Sequence, residues 1–559
     1  MVLSALLLLA ASVPAQDSRN VNVPNTDTHF APPSYKTLAS WEKRKAELRR
    51  RILFSAGLDP MPERTPLHAQ VFGRVQTKDC TIEKVLIETM PGYYLGGNLY
   101  RPLNGVGRHP AVLNPHGHWT YGRLENQPLY SGPSLGANLA RQGYVTFAWD
   151  MVGYNDTIQT PHAFGSPAEQ LWSFGPLGLQ LWNSIRALDF VSSLDDVDAS
   201  RIAMTGASGG ATQTLLLAAV DDRVQYFAPV NMISAIMQGG DFCENAPGVR
   251  LGTNNVEIAA MIAPKPLLMV SATGDWTRNT PTEEYPAIRR IYELYGKPEN
   301  VETIQLDAPH NYNKQNREAV YRFFAKHILH APDADKFAEK NADIQMLQSM
   351  LALSGRGLPE GALTYAKLFG EWKHRTPAGD PREHLQMALA AEWPEEVVSD
   401  DNALSRPNVG DRIPFRFREG KGMPALVIGG SLSDAPAGRP ALAIDVFQTG
   451  KAVAPRDRSA KHFLSFNLTD DACRAQDILT ALAWLHRKYP GPIELIGVGT
   501  APSVWNEFAA AIAPVPVKLQ GDRTAFHGTD EDYLKYFNVP GIRTAGGIEA
   551  ADRLTQGMK

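Results

Sequence analysis

A serine set among glycines is the residue of this sequence whose surroundings most clearly indicate chemistry. The pattern G-x-S-x-G occurs at residues 206–210, where "GASGG" follows the apolar run "RIAMT" and precedes "ATQTLLLAA". A strand, a tight turn and a helix in that order form a nucleophile elbow, which exposes a serine hydroxyl at its apex. Small neighbours let the backbone and the helix approach closely, and the helix N-terminus presents unpaired N–H groups to a developing oxyanion. The pattern therefore predicts Ser208 as a nucleophile.

The same pattern occurs a second time, at residues 132–136, as "GPSLG". The polar segment "YGRLENQPLYS" precedes it, so no strand leads into the turn, and Ser134 stands where a helix is predicted to begin. A serine in that place is typical of an N-cap. We therefore predict a structural role for Ser134.

A serine hydroxyl is a weak nucleophile unless a base takes its proton and an acid orients the base. After a nucleophile elbow these partners are expected behind later strands, in the order acid and then histidine. Asp275 directly follows "KPLLMVSAT", and His310 follows "VETIQLD". Asp307 also ends a strand, but a role as a turn carboxylate is favoured. The remaining candidates lie in a loop or on helices and are given no catalytic role: His162, His327, His330, Asp221 and Asp222.

The loop after the early strand "PAVLN" is expected to supply the second donor of an oxyanion hole. We predict the backbone N–H groups of His118 and Gly209 as the two donors. His116 and His118 could instead indicate a metal, but no third ligand with companion spacing is visible, so no metal and no organic cofactor is expected. Asp150, at the end of "VTFAWD", is predicted to be a structural carboxylate. Nearby aromatic residues are candidates either for stacking on a sugar ring or for packing: Trp119, Tyr121, Trp172 and Trp276.

Positioning these residues requires a sheet whose strands end at one edge. From about residue 66 to residue 331, short apolar runs alternate with helix-length amphipathic segments. This alternation predicts an α/β fold with a doubly wound, mostly parallel sheet covered by helices on both faces. In such a sheet, catalytic groups collect in the loops at the carboxyl ends of the strands.

Composition excludes several other classes of protein. A chain of 559 residues with 43% hydrophobic residues is expected to form two or more globular domains. A net charge of −4 gives no electrostatic reason to propose nucleic acid as a partner. The three cysteines, Cys80, Cys243 and Cys473, are far apart and odd in number, so no disulfide framework is expected. The oligomeric state is left open.

The first residues, "MVLSALLLLAASVPAQDS", carry an apolar run that is too short to span a bilayer and is followed by small residues at Val13 and Ala15. Residues 1–15 are therefore predicted to be a signal peptide cleaved after Ala15, which implies export to the periplasm or beyond and no stable membrane insertion. No basic residue precedes the run. An apolar tail on a cytosolic protein is the alternative.

Residues 66–331 also resemble a known family. The shared motifs are "HGH" after an early strand, "WDMVGYND", "GASGG", "SATGDWTRNTP" and "APHNYNKQNREAVYRFF". They are similar to those of the bacterial α/β-hydrolases known as acetyl xylan esterases and of related dienelactone-hydrolase-like enzymes. The resemblance implies an α/β-hydrolase fold and a serine carboxylesterase for small acyl groups, often acetyl groups on plant polysaccharide. Ser208, Asp275 and His310 would be its catalytic triad.

The C-terminal part repeats the first body in outline. "MPALVIGG" matches "HPAVLNPHG", "PALAIDVFQTG" matches "VTFAWDMVGYN", and "IELIGVGTA" matches "RIAMTGASGG", which sets Asp445 on Asp150 and Gly499 on Ser208. The glycines of "IELIGVGTAP" could instead begin a dinucleotide loop, but Pro502 stands where the third glycine belongs. We predict a second, degenerate α/β-hydrolase-like domain without a serine nucleophile, in which His527 is a surface or packing residue. The predicted organisation is residues 16–65 as an N-terminal segment, 66–331 as the catalytic domain, 332–415 as a helical linker and 416–559 as the second domain.

Two rival functions remain at this point. A serine peptidase of the prolyl-oligopeptidase type uses the same order of catalytic residues, but would normally bring a propeller of repeated β-blades, and none is visible. A non-catalytic carbohydrate-binding or scaffold protein is the other alternative. The Ser208, Asp275 and His310 set favours an enzyme acting on a small-molecule or polysaccharide ester.

Overall fold

The computed structural model describes residues 16–103, 107–375, 379–407 and 409–556. The predicted signal peptide lies outside the described residues. The strands are β1 (Gln70–Gln76), β2 (Cys80–Met90), β3 (Tyr93–Pro102), β4 (His109–Pro115), β5 (Asn126–Gln127), β6 (Tyr130–Ser131), β7 (Val145–Trp149), β8 (Val197–Ala207), β9 (Tyr226–Val230), β10 (Leu267–Gly274), β11 (Val301–Pro309), β12 (Val398–Ser399), β13 (Ala403–Ser405), β14 (Ile413–Arg418), β15 (Ala425–Ile428), β16 (Ala441–Ile444), β17 (Ile493–Gly497) and β18 (Val517–Gly521).

The helices are α1 (Ser18–Val21), α2 (Leu38–Ser55), α3 (Gly132–Arg141), α4 (Pro167–Gln170), α5 (Pro176–Ser192), α6 (Gly209–Val220), α7 (Asn255–Ala260), α8 (Glu284–Leu294), α9 (Lys314–His327), α10 (Leu347–Met350), α11 (Tyr365–Lys373), α12 (Pro381–Leu389), α13 (Phe463–Phe466), α14 (Asp470–Lys488), α15 (Thr500–Ile512), α16 (Asp530–Tyr536) and α17 (Gly547–Thr555).

The first sheet has nine strands in the order β1-β2-β3-β7-β4-β8-β9-β10-β11. The pairs from β1 to β7 are antiparallel, and every pair from β7 to β11 is parallel. The parallel strands therefore deliver their carboxyl ends to one edge. This arrangement confirms the predicted α/β class and the mostly parallel sheet.

Helices bury both faces of this sheet, which explains why its central strands are apolar throughout. All five residues of β7 are buried. In β4, Ala111 and Leu113 pack in the core with α5, α6 and α8, whereas Val112 packs on the other face with α3 and α9. Successive side chains of a strand point to opposite faces, so a strand between two helical layers needs apolar residues at every position.

The second sheet has seven strands in the order β12-β13-β14-β16-β15-β17-β18. The pairs β15–β16, β15–β17 and β17–β18 are parallel, and β14–β16 is antiparallel. Residues of α12, α14, α15 and α17 pack with the strands in a separate core. The segments that the sequence matched to the first body thus form β15, β16 and β17.

The predicted helical linker, residues 332–415, contains α10, α11 and α12, but its first part is largely not helical. The charged stretch at residues 334–357 contains one α-helix, the four-residue α10. Elsewhere it runs along the first body, where Arg317 pairs with Glu339, and Asp156 accepts hydrogen bonds from the N–H groups of Ala352 and Leu353. These contacts replace helical hydrogen bonds. The second sheet also begins earlier than the predicted boundary at residue 416, with β12 and β13.

The two sheet regions touch through backbone hydrogen bonds. The N–H of Gly248 donates to the carbonyl of Leu464 at 2.8 Å, and that of Gly541 donates to the carbonyl of Gln170 at 2.8 Å. The N-terminal segment also contacts the second region, because Arg19 pairs with the buried Asp477 at 2.6 Å. In the part of the chain that the structure describes, no helix combines the length and the apolarity that crossing a bilayer requires.

Candidate active site

Ser208 occupies a sharp turn between β8 and α6. It is the N-cap of α6 and has φ 56° and ψ −124°. A positive φ is rare for a residue with a side chain, and it marks the strained turn of a nucleophile elbow. The strand, turn and helix predicted around Ser208 are therefore present.

The glycines around Ser208 allow three backbone segments to approach one another. A Cβ atom on Gly206 would lie 2.6 Å from the carbonyl oxygen of Pro115, and one on Gly210 would lie 2.3 Å from the same atom. A Cβ atom on Gly117 would lie 2.6 Å from the carbonyl oxygen of Ala207. No side chain fits at these distances. The loop after β4 can thus rest directly on the turn that carries Ser208.

Asp275 and His310 meet at the ends of β10 and β11. His310 Nδ1 lies 2.9 Å from Asp275 Oδ2. The other oxygen of Asp275 accepts hydrogen bonds from the N–H of Thr277 at 2.7 Å and from its hydroxyl at 2.5 Å. Because a carboxylate only accepts, Nδ1 carries the proton and Nε2 of His310 presents a lone pair. The pair is fixed in the tautomer that a general base requires.

Two tryptophans flank the His310 ring. The ring centroid of Trp276 lies 4.3 Å from that of His310, and Trp119 stacks at 6.3 Å with an interplanar angle of 15°. A Cβ on Gly117 would lie 3.0 Å from Ser208 Cβ and 3.4 Å from Trp119 Nε1, so the Ser208 turn and His310 border the same tryptophan. Both indole N–H groups are buried without a hydrogen-bond partner among the described residues.

The hydrogen bonds of the described residues include none from Ser208 Oγ to His310. Such a bond is often long in an enzyme without substrate and shortens in the Michaelis complex. The geometry thus provides an oriented histidine and a half-buried serine turn that border the same tryptophan, Trp119.

The loop after β4 is held by a neutral histidine. The N–H of Met151 donates to His116 Nε2 at 3.0 Å, so Nδ1 is the protonated nitrogen and donates to the carbonyl of Gly117 at 2.7 Å. Burial lowers the pKa of His116 to about 3. The residue therefore stays uncharged and fixes the backbone next to His118.

Gly209 and His118, the predicted oxyanion donors, belong to adjoining segments. A Cβ on Gly209 would lie 2.9 Å from Cε1 of the His118 ring. Gly209 is the first residue of α6, and its N–H therefore has no acceptor within the helix. Gly209 directly follows Ser208, and the ring of His118 borders Gly209.

A buried ion network lies behind this loop. Arg123 contacts both Asp150 and Asp156, and its Nε donates to the side-chain oxygen of Asn98 at 2.8 Å. The Arg123 and Asp150 side chains are 1% and 0% exposed. The structural role predicted for Asp150 matches this environment.

The structure separates the other predicted residues. Trp172 lies in the contact with the second region, where its indole N–H donates to Asp530 and Arg543 stacks on its ring. Of the two roles expected for Trp172, these contacts favour packing over stacking on a sugar, since a lone tryptophan in a sequence does not show which way it faces. Tyr121 is 52% exposed in the segment after β4. Ser134 lies within the first turn of α3, and the N-cap is Ser131 instead.

Sequence reasoning missed a group of possible metal ligands. His118 Nε2 lies 3.1 Å from His162 Nε2 and 3.1 Å from Cys243 Sγ. No third ligand for the histidines of the β4 loop can be recognised from the sequence, because Cys243 comes from a distant loop and no local spacing marks it. The described residues thus contain a donor set of two imidazoles and a thiol.

Comparisons with known proteins indicate the class of enzyme. No family model matches the chain. The putative hydrolase YtaP of Bacillus subtilis is 26% identical over 305 residues, which cover 50% of this chain and 98% of the relative. The structure of the methylesterase BT1017 is similar with a TM-score of 0.54 and 31% identity, covering 60% of this chain and 75% of the methylesterase. A putative acetyl xylan esterase from Bacteroides fragilis gives a TM-score of 0.40 and 16% identity over 51% of this chain and 80% of that one.

The chain shares 31% of its residues with the methylesterase over 75% of that protein and has a similar fold, which indicates one family. YtaP matches over nearly its whole length. The expected hydrolase class is confirmed on this basis. The chain belongs to the esterases of the α/β-hydrolase fold.

Proposed function

We propose that the chain is a serine carboxylesterase that removes small ester groups from carbohydrates by an acyl-enzyme mechanism. The observation that carries the proposal is the His310–Asp275 hydrogen bond, 2.9 Å long, at the same sheet edge as the strained Ser208 turn. Along the chain, Ser208 follows β8, Asp275 follows β10 and His310 follows β11. This is the order serine, acid, histidine that the fold requires.

In the first half-reaction, His310 Nε2 takes the proton of Ser208 as the hydroxyl attacks the ester carbonyl. The N–H groups of Gly209 and His118 hold the resulting oxyanion, and loss of one such donor typically costs about 3 kcal/mol of transition-state stabilisation. His310 then gives its proton to the departing alcohol. An acyl group remains on Ser208.

In the second half-reaction, His310 activates a water molecule that attacks the acyl-enzyme. Collapse of the second tetrahedral intermediate releases the acid and returns the proton to Ser208. Asp275 holds the imidazole in one tautomer and stabilises its positive form, and Thr277 keeps the carboxylate in place. The residues of the chain account for every proton in this cycle.

Two ester types are candidates for the substrate. Acetyl groups on a plant-type polysaccharide such as acetylated xylan are implied by the motif resemblance. A methyl ester of a carbohydrate carboxylate is favoured by the similarity to a protein named a methylesterase. In both cases Trp119 and Trp276, which flank His310, are proposed to stack on a sugar ring.

The experiment compares the wild type with Ser208→Ala on acetylated xylan, acetylated pectin, methyl-esterified pectin and a glucuronoyl methyl ester. Released acetate and methanol are measured separately. Ser134→Ala is the matched control, because Ser134 lies in the other G-x-S-x-G pattern. The proposal predicts turnover by the wild type and the control and none by Ser208→Ala.

Equal turnover by the wild type and Ser208→Ala would contradict the mechanism. Cleavage of peptidyl amides in preference to all the esters would favour the peptidase alternative. Binding of the polysaccharides without any turnover would favour a carbohydrate-binding protein. Export remains a prediction, to be tested by the N-terminal residue of protein recovered from the periplasm or the medium.

A further inference from the structure

Three side chains that the proposed esterase mechanism does not use converge beside the Ser208 turn. His118 follows β4, His162 precedes α4, and Cys243 lies between β9 and α7. Their ligand atoms all lie within 4.8 Å of one another. Three separate loops therefore bring two imidazole nitrogens and one sulfur to a common point.

Hydrogen bonds around the cluster fix the two groups that lie far from His118 in sequence. His162 Nδ1 donates to the carbonyl of Val152 at 2.7 Å, which leaves a lone pair on Nε2 directed at the cluster. A histidine that binds a metal through one ring nitrogen usually donates a hydrogen bond from the other, which fixes the orientation of the ring. His162 is thus oriented as a ligand before any ion binds.

Cys243 is the middle residue of a 3₁₀ turn, residues 242–244, whose N-terminal end is capped by side chains. Asp241 caps this turn, and Glu244 completes a capping box with it. Glu244 in turn accepts a hydrogen bond from the Thr212 hydroxyl of α6 at 3.0 Å. The turn that carries Cys243 is therefore tied to the helix that begins at the Ser208 turn.

The distances suit a tetrahedral ion with nitrogen and sulfur ligands. Zinc bonds of about 2.05 Å to nitrogen and about 2.3 Å to sulfur set neighbouring ligand atoms about 3.3 to 3.6 Å apart. The nitrogen–nitrogen and nitrogen–sulfur distances are both 3.1 Å, so the side chains need to separate by only a few tenths of an ångström. Magnesium and calcium prefer oxygen ligands and do not fit this donor set.

A fourth ligand is also at hand. Asp241 Oδ2 lies 3.5 Å from His118 Nε2, and the Asp241 side chain is 38% exposed. It can turn toward the cluster, or a water molecule can take the fourth position. Two histidines, one thiolate and one carboxylate or water form a donor set that zinc accepts.

We propose that His118, His162 and Cys243 bind a zinc ion, with Asp241 or water as the fourth ligand. The ion ties the loops after β4, β7 and β9 together beside Gly209. This site does not depend on the proposed esterase mechanism, since no step of that mechanism uses the three ligand atoms. Loss of zinc binding and loss of the triad can therefore be observed separately.

The test measures zinc binding to the full chain. After chelator treatment and removal of the chelator, the protein is titrated with zinc by calorimetry, and bound zinc is counted by elemental analysis after gel filtration. We expect one zinc per chain with a dissociation constant in the micromolar range or tighter. Cys243→Ser and His162→Ala should each weaken binding by at least about tenfold.

Cys473→Ser and His527→Ala are the matched controls, because they remove a buried thiol and an exposed imidazole from the second region. Both should bind zinc like the wild type. Circular dichroism and thermal melting identify any variant that does not fold. Weak binding that is unchanged in Cys243→Ser, or that is lost in His527→Ala, would show adventitious surface binding and overturn the proposal.

Cobalt(II) gives a readout on the wild type that needs no variant. Binding at this site predicts the visible ligand-field bands of a tetrahedral complex and a near-ultraviolet thiolate-to-metal band, and zinc should remove both. An octahedral spectrum without the thiolate band would show that His118, His162 and Cys243 form only a hydrogen-bonded cluster.

Discussion

The turns at Ser208 and Gly499 share a backbone plan but differ in their chemistry. Ser208 joins β8 to α6 as the N-cap of that helix, and Gly499 joins β17 to α15 as its N-cap. Their φ angles are 56° and 96°. Their ψ angles differ, at −124° and 170°, so the two turns share a positive φ at the helix N-cap without the same full geometry, and only the first carries a hydroxyl.

The strand orders show what else the second region lacks. Its strands β13-β14-β16-β15-β17-β18 follow the same order and pairing directions as β2-β3-β7-β4-β8-β9 of the first. The first sheet then continues with β10 and β11, which lead to Asp275 and His310, whereas in the described residues the second sheet ends at β18. Common descent of the two regions stays a prediction. The second sheet shows that this strand order can form without the two strands that carry Asp275 and His310 in the first.

The largest expected effect comes from removing the hydroxyl at the first turn and placing one at the second. Ser208→Ala should lower kcat for ester hydrolysis by about 10⁵-fold or more, because no covalent intermediate can form. Adding Gly499→Ser should restore nothing, since in the described residues the second sheet has no strands in the places of β10 and β11, which carry Asp275 and His310 to the first turn. Serine-dependent turnover by the double variant would contradict the comparison.

The next effect contrasts two aspartates at strand ends. Asp275→Asn should lower kcat by about 10⁴-fold, because the amide no longer holds the productive tautomer of His310. Asp445→Asn removes the partner of Arg416 in the second region and should leave kcat unchanged. Steady-state kinetics on a soluble aryl ester measures both, and equal losses would mean that the second region takes part in catalysis.

A third contrast concerns stability. Arg123 and Arg416 pair with the matched residues Asp150 and Asp445, but their side chains are 1% and 41% exposed. Arg123→Ala should lower the free energy of unfolding by about 3–5 kcal/mol, because it leaves a buried carboxylate unpaired. Arg416→Ala should cost at most about 1 kcal/mol. Denaturant titration of the two variants checks the difference, and similar values would show that burial does not separate the two ion pairs.

The smallest effect is a pH dependence where the N-terminal segment meets α12. A hydrogen bond to Asp59 raises the pKa of His384 above its ordinary value. The pair therefore stabilises the fold fully below the unfolded pKa of about 6.5 and loses this contribution as pH rises through the folded value. His384→Gln should remove this decrease in melting temperature as pH rises above about 6.5. The contribution lost is at most about 1 kcal/mol of unfolding free energy. If His384→Gln leaves the plot unchanged, the His384–Asp59 pair does not contribute to stability.

The proposed triad could be predicted from sequence because each residue directly follows a recognisable strand. The strand, turn and helix around Ser208 and the alternation of the first sheet are local patterns, and the structure contains them. The convergence of His118, His162 and Cys243 is set by the packing of three loops, so no local pattern announces it. Residues 334–357 belong to the predicted helical linker, but their polar groups have partners on the first body and only α10 is an α-helix there.

Covalent labelling by a fluorophosphonate tests the central claim most directly, because it reports an activated serine whatever the natural ester is. The account predicts one adduct per chain, located by peptide mass spectrometry on Ser208, absent in Ser208→Ala and strongly slowed in Asp275→Asn. Adduct formation at another residue, or a folded wild-type protein that takes no label, would contradict it.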